Sequence, residues 1–424
     1  MLRVLVIADD LTGALDSGVK LLLHSPDVRV QRWPARDVSL GSLPTVQVID
    51  TASRHIPPVE AASRVAGAID RFMAALLPGD APLIYKKTDS TLRGNIGAEL
   101  GAAIAALPGR ALIFSPAYPA LRRQVRNCSL LIDEVPIAGT GFGRDALNPV
   151  TASDLRTVIS AQHAGPVAYA AHARDIPALA VPGTIVVVDA ESEDDLRAIA
   201  ECARELSAKT GILPILAGSA GLAAYLGMAG DSVPAVAVNI ALRHTAELTP
   251  QIVSPLLFVN GSRSDTSRSQ VSAAAAAGIS IVELPAPLPG VLPRSRLADT
   301  VRAVIDPLRT SARNACVLDS PAEACDAAAV AAAFGTVVHE VTNVLEIGTL
   351  VVSGGDTLAA ILDELRISSI QPLGEQWPGI VTSTIAGLGN PRYLLSKAGG
   401  FGEMDLLVTI SSSAGKPENE KEHG

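Results

Sequence analysis

The segment Tyr85-Lys86-Lys87-Thr88-Asp89-Ser90-Thr91-Leu92-Arg93-Gly94-Asn95 packs three cations, a carboxylate, hydroxyls and a glycine into one turn. Such a set can bind an anion and manage a proton. Ammonium and guanidinium groups neutralise carboxylate or phosphoryl charge, and a carboxylate can accept the proton of an attacking hydroxyl. Charged residues make up only 18% of the chain. Burying part of Lys86, Lys87 and Arg93 without an anionic partner would cost several kcal/mol, so the cluster implies a negative ligand. The competing reading is internal: Asp89 pairs with Arg93 four residues on, and Ser90 or Thr91 caps the next helix.

Acidic residues recur after other apolar runs, with Asp9 and Asp10 after the first and Asp50-Thr51 after another. Parallel strands release their carboxyl ends on one edge, which lets such groups converge. Asp10 and Asp16 flank Thr12 and Gly13 at the opening of a helix, whose amides suit an anion. Arg54 adds a fork able to hold a carboxylate. Together these residues describe a site for a small, hydroxylated acid. Any one of the aspartates alone could equally be a cap or a turn residue.

A second group is rich in glycine: Val259-Asn260-Gly261-Ser262-Arg263-Ser264, Val352-Ser353-Gly354-Gly355-Asp356-Thr357 and Lys397-Ala398-Gly399-Gly400-Phe401-Gly402. The first two follow apolar strands and precede helical runs. Glycine lets backbone approach a ligand there, and a helix N-terminus offers amides to phosphates. The pattern is that of a nucleotide site, but it contains neither a P-loop nor a strict G-x-G-x-x-G after a strand. Gly139-Thr140-Gly141-Phe142-Gly143 reads as a plain loop.

The elements that must position these groups alternate. Val/Ile/Leu runs near 3–8, 45–50, 82–87, 111–115, 184–188 and 212–216 are expected strands, and stretches near 13–24, 58–77, 95–107 and 193–208 are expected helices. After a lapse the alternation resumes, with strands expected near 256–259, 315–318, 349–352 and 406–410. Near-continuous apolar strands separated by helices predict an α/β protein of two domains, each a largely parallel sheet flanked by helices. The expected limits are 1–230 for the first domain, 231–254 for a linker and 255–410 for the second domain. Residues 411–424 are expected to be a disordered tail. A length of 424 residues with 48% hydrophobic content supports two cores.

A net charge of −9 without a long basic run argues against nucleic acid. Four cysteines without a CxxC pair and seven histidines without HxxxH indicate neither a zinc site nor a disulfide framework. The N-terminal Met1–Asp10 reads as a strand running into acids rather than a secretory leader, which suits the cytoplasm. Gly211 to Gly230 is uncharged for twenty residues but carries five glycines, and it reads as a strand turning into a helix rather than a membrane span.

Ala8-Asp9-Asp10-Leu11-Thr12-Gly13-Ala14, Lys86 through Asn95, Ser353-Gly354-Gly355-Asp356-Thr357 and Lys397 through Gly402 resemble, in order and spacing, the four-carbon acid sugar kinases. The resemblance covers residue 2 to about 410. It implies an N-terminal sugar-acid-binding domain and a C-terminal nucleotide-binding domain with the active site between them. It also implies ATP with Mg²⁺ as cofactors and phosphorylation of the terminal hydroxyl of threonate, erythronate or a 3-oxo-tetronate. Ser262, Gly354, Gly355, Asp356, Thr357, Gly399 and Gly400 would surround ATP. Asp10, Asp16, Arg54, Lys87, Asp89, Arg93 and Gly94 would surround the acid. Asp10 and Asp89, with Asp16 third, are candidates for the base, and Lys87 would offset phosphoryl charge; no protein metal ligand is assigned.

One stretch departs from the family pattern. Pro116-Ala117-Tyr118-Pro119-Ala120-Leu121-Arg122-Arg123-Gln124-Val125-Arg126-Asn127-Cys128 carries extra arginines and lacks a glycine, which bears on the acceptor pocket. Leu388-Gly389-Asn390-Pro391-Arg392 also looks unusual. The alternative function is a non-enzymatic two-lobed sugar-acid-binding protein, which needs no second, glycine-lined site. A nicotinamide-dependent dehydrogenase is a third reading, disfavoured by the absent fingerprint glycines. The expected partners are small molecules, with no nucleic acid and no membrane, and a homo-oligomer is allowed.

Overall fold

The computed structural model describes residues 2–23, 25–34, 43–77, 80–144, 149–226, 252–286, 293–323, 325–385 and 390–415. The chain divides into two compact units, Met1–Ala241 and Leu242–Gly424. Of the expected linker, only Ile252–Ser254 are described.

Unit 1 is built on eight parallel strands: β1 (Leu2–Ala8), β2 (Val28–Arg32), β3 (Val46–Asp50), β4 (Ala81–Lys87), β5 (Leu112–Ser115), β9 (Val167–Ala170), β10 (Ile185–Val188) and β11 (Ile215–Gly218). Their spatial order is β2-β3-β1-β4-β11-β5-β10-β9. Val4 to Ala8 are all buried, as expected where helices cover both faces of a sheet. The chain leaves β1 for the outer β2, returns through β3, then crosses to β4 on the other side. The order therefore reverses beside β1, the position where open α/β sheets bind ligands. Register aligns the strand ends there: Ala8 pairs with both Asp50 and Lys87, and Lys87 with Gly218.

Helix α1 (Leu11–Leu21) follows β1 directly and buries Leu11, Ala14, Leu15 and Val19, a stripe at helical spacing. Helix α2 (Pro58–Ala74) starts with proline, whose missing N–H costs nothing in a first turn. It buries Ala61, Val65, Ala68, Ile69 and Phe72. Helix α3 (Ile96–Ala106) follows the Lys86–Asn95 segment. A small antiparallel sheet of β6 (Arg123–Arg126), β7 (Ser129–Ile132) and β8 (Val135–Pro136) follows β5. Its strands, of two to four residues, are too short to stand out by periodicity.

The uncharged stretch from Gly211 holds β11 and a short helix, Ala220–Ala223, all buried. Its residues 227–230 lie outside the described residues. Among the described residues one helix, Ala327–Val344, is long and apolar enough to cross a membrane by length and composition. Its Phe334, Val337, Val338 and Val341 are buried, and it packs on the helices Gly355–Glu364 and Arg294–Thr310.

Unit 2 contains β12 (Leu256–Asn260), β13 (Ser280–Glu283), β14 (Ala315–Asp319), β15 (Thr349–Ser353), β16 (Ser369–Trp377), β17 (Ile380–Ile385) and β18 (Tyr393–Lys397), in the order β13-β14-β12-β15-β18-β17-β16. The first five run parallel, β17 runs against β18, and β16 runs against β17. The winding of β12 to β15 repeats that of β1 to β4, so the order again reverses, here between β12 and β15.

Two expectations need correction. The strand expected at 406–410 is part of a helix, Leu406–Ser413, burying Leu406, Leu407, Ile410 and Ser411. A short apolar run cannot by itself distinguish strand from buried helix. The tail expected to be disordered from Ser411 begins inside that helix, and Gly415 bridges to Val253. Residues 416–424, like Leu388 and Gly389, lie outside the described residues. Asn390 is structural: its side-chain amide donates to Thr342 O and Leu345 O at 2.6 and 3.0 Å, and its oxygen accepts from Ile347 N at 2.8 Å.

Candidate active site

Asp9 and Asp10 follow β1 directly, Thr51 and Arg54 follow β3, and Asp89 and Ser90 follow β4. Arg54 ties them together. Its Nε donates to Asp9 Oδ2 at 2.7 Å, its Nη1 to Asp10 Oδ2 at 2.8 Å, and its Nη2 lies 2.8 Å from Asp10 Oδ1 and 4.0 Å from Asp89 Oδ1. Burial alone would lower the Arg54 pKa, but Asp10, Asp9 and Asp89 hold it well above its ordinary value. The fork expected to receive the substrate is occupied by the protein's own aspartates. A lone arginine in a sequence gives no sign of such an internal commitment.

Asn95 and Gly94 position this arginine. Asn95 Nδ2 donates to Ser53 O and Ile56 O, both at 2.8 Å. Gly94 has φ +91°, and a Cβ there would lie 3.3 Å from Arg54 O. Gly94, expected beside the substrate, is instead where the loop after β4 presses on the Arg54 backbone.

Asp89 bonds within its own loop, as the internal reading anticipated. It accepts from Arg93 Nε at 2.6 Å and Thr91 Oγ1 at 2.5 Å. Burial would raise its pKa, yet Arg54 and Arg93 hold it well below the usual carboxylate range. Asp89 in turn raises the Arg93 pKa. The Arg93 guanidinium lies 5.8 Å from the Phe142 ring centroid. Phe142 belongs to a short 3-10 turn, Gly141–Arg144, so the stretch read as a plain loop packs on this site.

The two lysines of β4 point to opposite faces, as successive strand residues must. Lys86 is fully buried and pairs with Glu99 of α3 at 2.8 Å. It neutralises a structural carboxylate. Lys87 lies under the start of α1: a Cβ on Gly13 would stand 2.5 Å from Lys87 Nζ and 2.7 Å from Asp10 Oδ1. Among the described residues no carboxylate reaches ion-pair distance of Lys87. Asp10 caps α1, accepting from Gly13 N at 2.9 Å, and at 21% its side chain is the most exposed of the three aspartates around Arg54. Asp9 is buried; burial would raise it, and Arg54 with Lys87 and Lys86 keeps it lowered. Asp16 is half-buried further along α1, and its charge adds to burial in raising the Tyr85 hydroxyl. Asp50, at the end of β3, is pushed up to about 7 by burial and by Asp10 and Asp9, against the Ala52 amide bond and Arg32.

The glycine turns of unit 2 also converge. A Cβ on Gly261 would collide with Thr357 Oγ1, one on Gly399 with Ser262 Oγ, and one on Gly354 would stand 3.8 Å from Ser262 N. Gly354 has φ +110° and precedes the helix Gly355–Glu364, which has no side-chain cap bond. Asp356 is exposed in its first turn and Thr357 is buried beneath. Gly399 O accepts from Ser264 Oγ and Ser267 Oγ, each at 2.8 Å, and from Lys397 Nζ at 3.2 Å, while Gly400 is exposed. The three donors orient this turn, a role not foreseen for Lys397 although it lies inside the motif. Burial pushes Lys397 down to about 8. Asn260 Nδ2 donates to Asp319 Oδ1 at 2.7 Å on the same edge, and burial raises the Asp319 carboxyl.

Residues 4–226 match the family described as a sugar-binding N-terminal domain, and residues 257–407 match the one described as a nucleotide-binding C-terminal domain. A D-threonate kinase of Salmonella typhimurium is 30% identical over 441 aligned residues, covering 96% of this chain and 97% of that protein. This chain belongs to the four-carbon acid sugar kinase family. A second family member, a 3-oxo-tetronate kinase of Burkholderia multivorans, is 28% identical, covering 95% of each chain. A solved Haemophilus influenzae protein, assigned to a domain of unknown function, shares the fold of the four-carbon acid sugar kinase chain with a TM-score of 0.66 at 21% identity. It covers 96% of this chain and 99% of that one.

Proposed function

We propose that this kinase-family protein transfers the γ-phosphoryl group of ATP to the terminal hydroxyl of a four-carbon sugar acid, with unit 1 holding the acid and unit 2 the nucleotide. The observation that carries the proposal is that each unit ends its central strands in a site suited to one half of that reaction. In unit 1, Lys87 is an ammonium without a carboxylate partner among the described residues, beside the opening of α1. In unit 2, an uncapped helix start stands among Gly261, Ser262, Gly354 and Gly399.

The start of the helix Gly355–Glu364, which has no side-chain cap bond, suits phosphate oxygens, and the close glycine turns let backbone approach them. A bound Mg²⁺ would neutralise charge on the transferring group. Among the described residues no group of three His, Cys, Asp or Glu could hold a metal. An ATP donor suits a cytoplasmic reaction.

In unit 1 the carboxylates divide their roles. Asp89 is locked by Arg93, Thr91 and Arg54, whereas Asp10 is more exposed and its Oδ2 keeps a lone pair beyond the Arg54 bond. Asp10 is therefore the preferred base for the attacking hydroxyl, and Lys87 offsets the charge that develops there. Positioning and charge neutralisation supply most of the acceleration.

The test is ADP release from ATP and Mg²⁺ against a panel of threonates, erythronates and 3-oxo-tetronates. Turnover with one acid well above the others is the expected result. No turnover together with no ATP binding would overturn the proposal.

A further inference from the structure

The cations on the unit 1 edge differ in what they already hold. Arg54 serves Asp9 and Asp10, Arg93 serves Asp89, and Lys86 serves Glu99. Arg123, at the start of β6, is the exception among the arginines. Its Nη1 donates to Ser90 Oγ in the loop after β4, and its buried Nε has no hydrogen-bond partner among the described residues. No carboxylate among them comes within 4 Å. Burial lowers its pKa and Arg93 adds to that effect, against partial offsets from Asp89, Tyr118 and Asp16.

A guanidinium has five donors in a planar fork, and one neutral hydroxyl leaves most of that capacity unused in a half-buried setting. A carboxylate accepting two parallel hydrogen bonds would satisfy it. Arg123 is also held firmly enough to select a ligand. Tyr118 N donates to Arg123 O at 2.7 Å and Arg123 N to Tyr118 O at 3.1 Å. The far end of the β6–β7 hairpin is pinned by Asp189, which accepts from Asn127 N at 2.7 Å and Cys128 N at 2.9 Å. The neighbouring arginines point elsewhere: Arg122 is exposed beside Asp133, and Arg126 pairs with Glu134 and Glu191 on the surface.

We propose that Arg123 reads the acid: its guanidinium binds the carboxylate of the substrate beside Ser90 and so distinguishes a sugar acid from the neutral polyol with the same hydroxyls. The inference rests on the kinase reading above and names the specificity residue of that site.

The experiment compares the full chain with Arg123→Gln, Arg123→Lys and Arg122→Gln. Calorimetry measures binding of threonate, erythronate and the matching tetritols, and ADP release is followed in parallel. Arg123→Gln is expected to weaken acid binding about ten- to a hundredfold, the range for losing a charged hydrogen bond. Tetritol and ATP affinities should stay within about twofold, KM should rise more than kcat falls, Arg123→Lys should recover part of the loss, and Arg122→Gln should behave as wild type. Equal losses for acid and tetritol, unchanged acid affinity, or a wild type that binds no four-carbon acid would each overturn the proposal. The kinase reading fails alone if the acid binds through Arg123 yet no ADP forms. The Arg123 assignment fails alone if ADP forms and Arg123→Gln leaves the acid KM unchanged.

Discussion

Lys87 Nζ lies 2.5 Å from where a Cβ on Gly13 would stand, so any side chain there would displace the ammonium that passes beneath the first turn of α1. Helix propensity favours alanine over glycine by about 1 kcal/mol at such a position. The protein keeps glycine where propensity opposes it, and the space so created belongs to a cation.

Gly13→Ala should therefore separate folding from function. Its melting temperature is expected to stay near the wild-type value, while kcat/KM falls at least about tenfold as Lys87 and Asp10 are pushed apart. Lys87→Met should cost more, about a hundredfold, the scale for removing a preorganised charge-stabilising donor. Wild-type turnover in the alanine variant would show that Lys87 has no part in the reaction.

Arg54→Gln is expected to act on stability before it acts on affinity. It leaves Asp9, Asp10 and Asp89 without the guanidinium that compensates them, and breaking a buried ionic group in this way costs about 3–5 kcal/mol. Urea unfolding measures it. A variant of unchanged stability with only a raised KM would return Arg54 to the role of substrate ligand.

Asp50 should give the protein a stability loss that grows with pH. Its carboxyl sits at about 7 in the folded chain against 3.8 ordinarily. The folded state therefore binds the proton more tightly, and stability falls as pH rises from about 4 to about 7, the loss being complete above that. Asp50→Asn removes the titrating group. Its gain over wild type should be larger at pH 8 than at pH 5 by about 3 kcal/mol, from the energy of a pKa unit. Equal differences at the two pH values would count against the raised carboxyl.

Lys397→Met should move stability and nucleotide affinity in opposite directions. Burial holds the folded ammonium at about 8 against 10.5 ordinarily, so in the wild type stability rises with pH across that window and the buried charge is a full cost below it. Methionine removes the cost but also the donor to Gly399 O. The expected outcome is unchanged or higher stability at pH 7 with ATP affinity about tenfold weaker, read by calorimetry. Unchanged ATP affinity would deny the lysine its positioning role.

Much of the scaffold was legible because its signals are local. Buried parallel strands such as Val4–Ala8 are continuous apolar runs, and Asp10 or Ser264 before a helical run marks its first turn. The helix at Leu406–Ser413 was misread because a few apolar residues suit either period. The β6–β8 sheet escaped notice because strands of two to four residues carry too little pattern.

The amino-acid sequence by itself determined that acids and cations would collect at the strand ends of one half and glycine turns at those of the other, because residue type and order along a strand, turn and helix are local properties. Which cation faces a ligand was decided only by the tertiary structure. Arg54, Arg93 and Lys86 are matched to Asp9, Asp10, Asp89 and Glu99, while Lys87 and Arg123 keep no carboxylate among the described residues. The reason is that a charge is satisfied through space: Arg54 is 45 residues from Asp9 in sequence and 2.7 Å from it in the fold, and Coulomb attraction depends on the second distance alone.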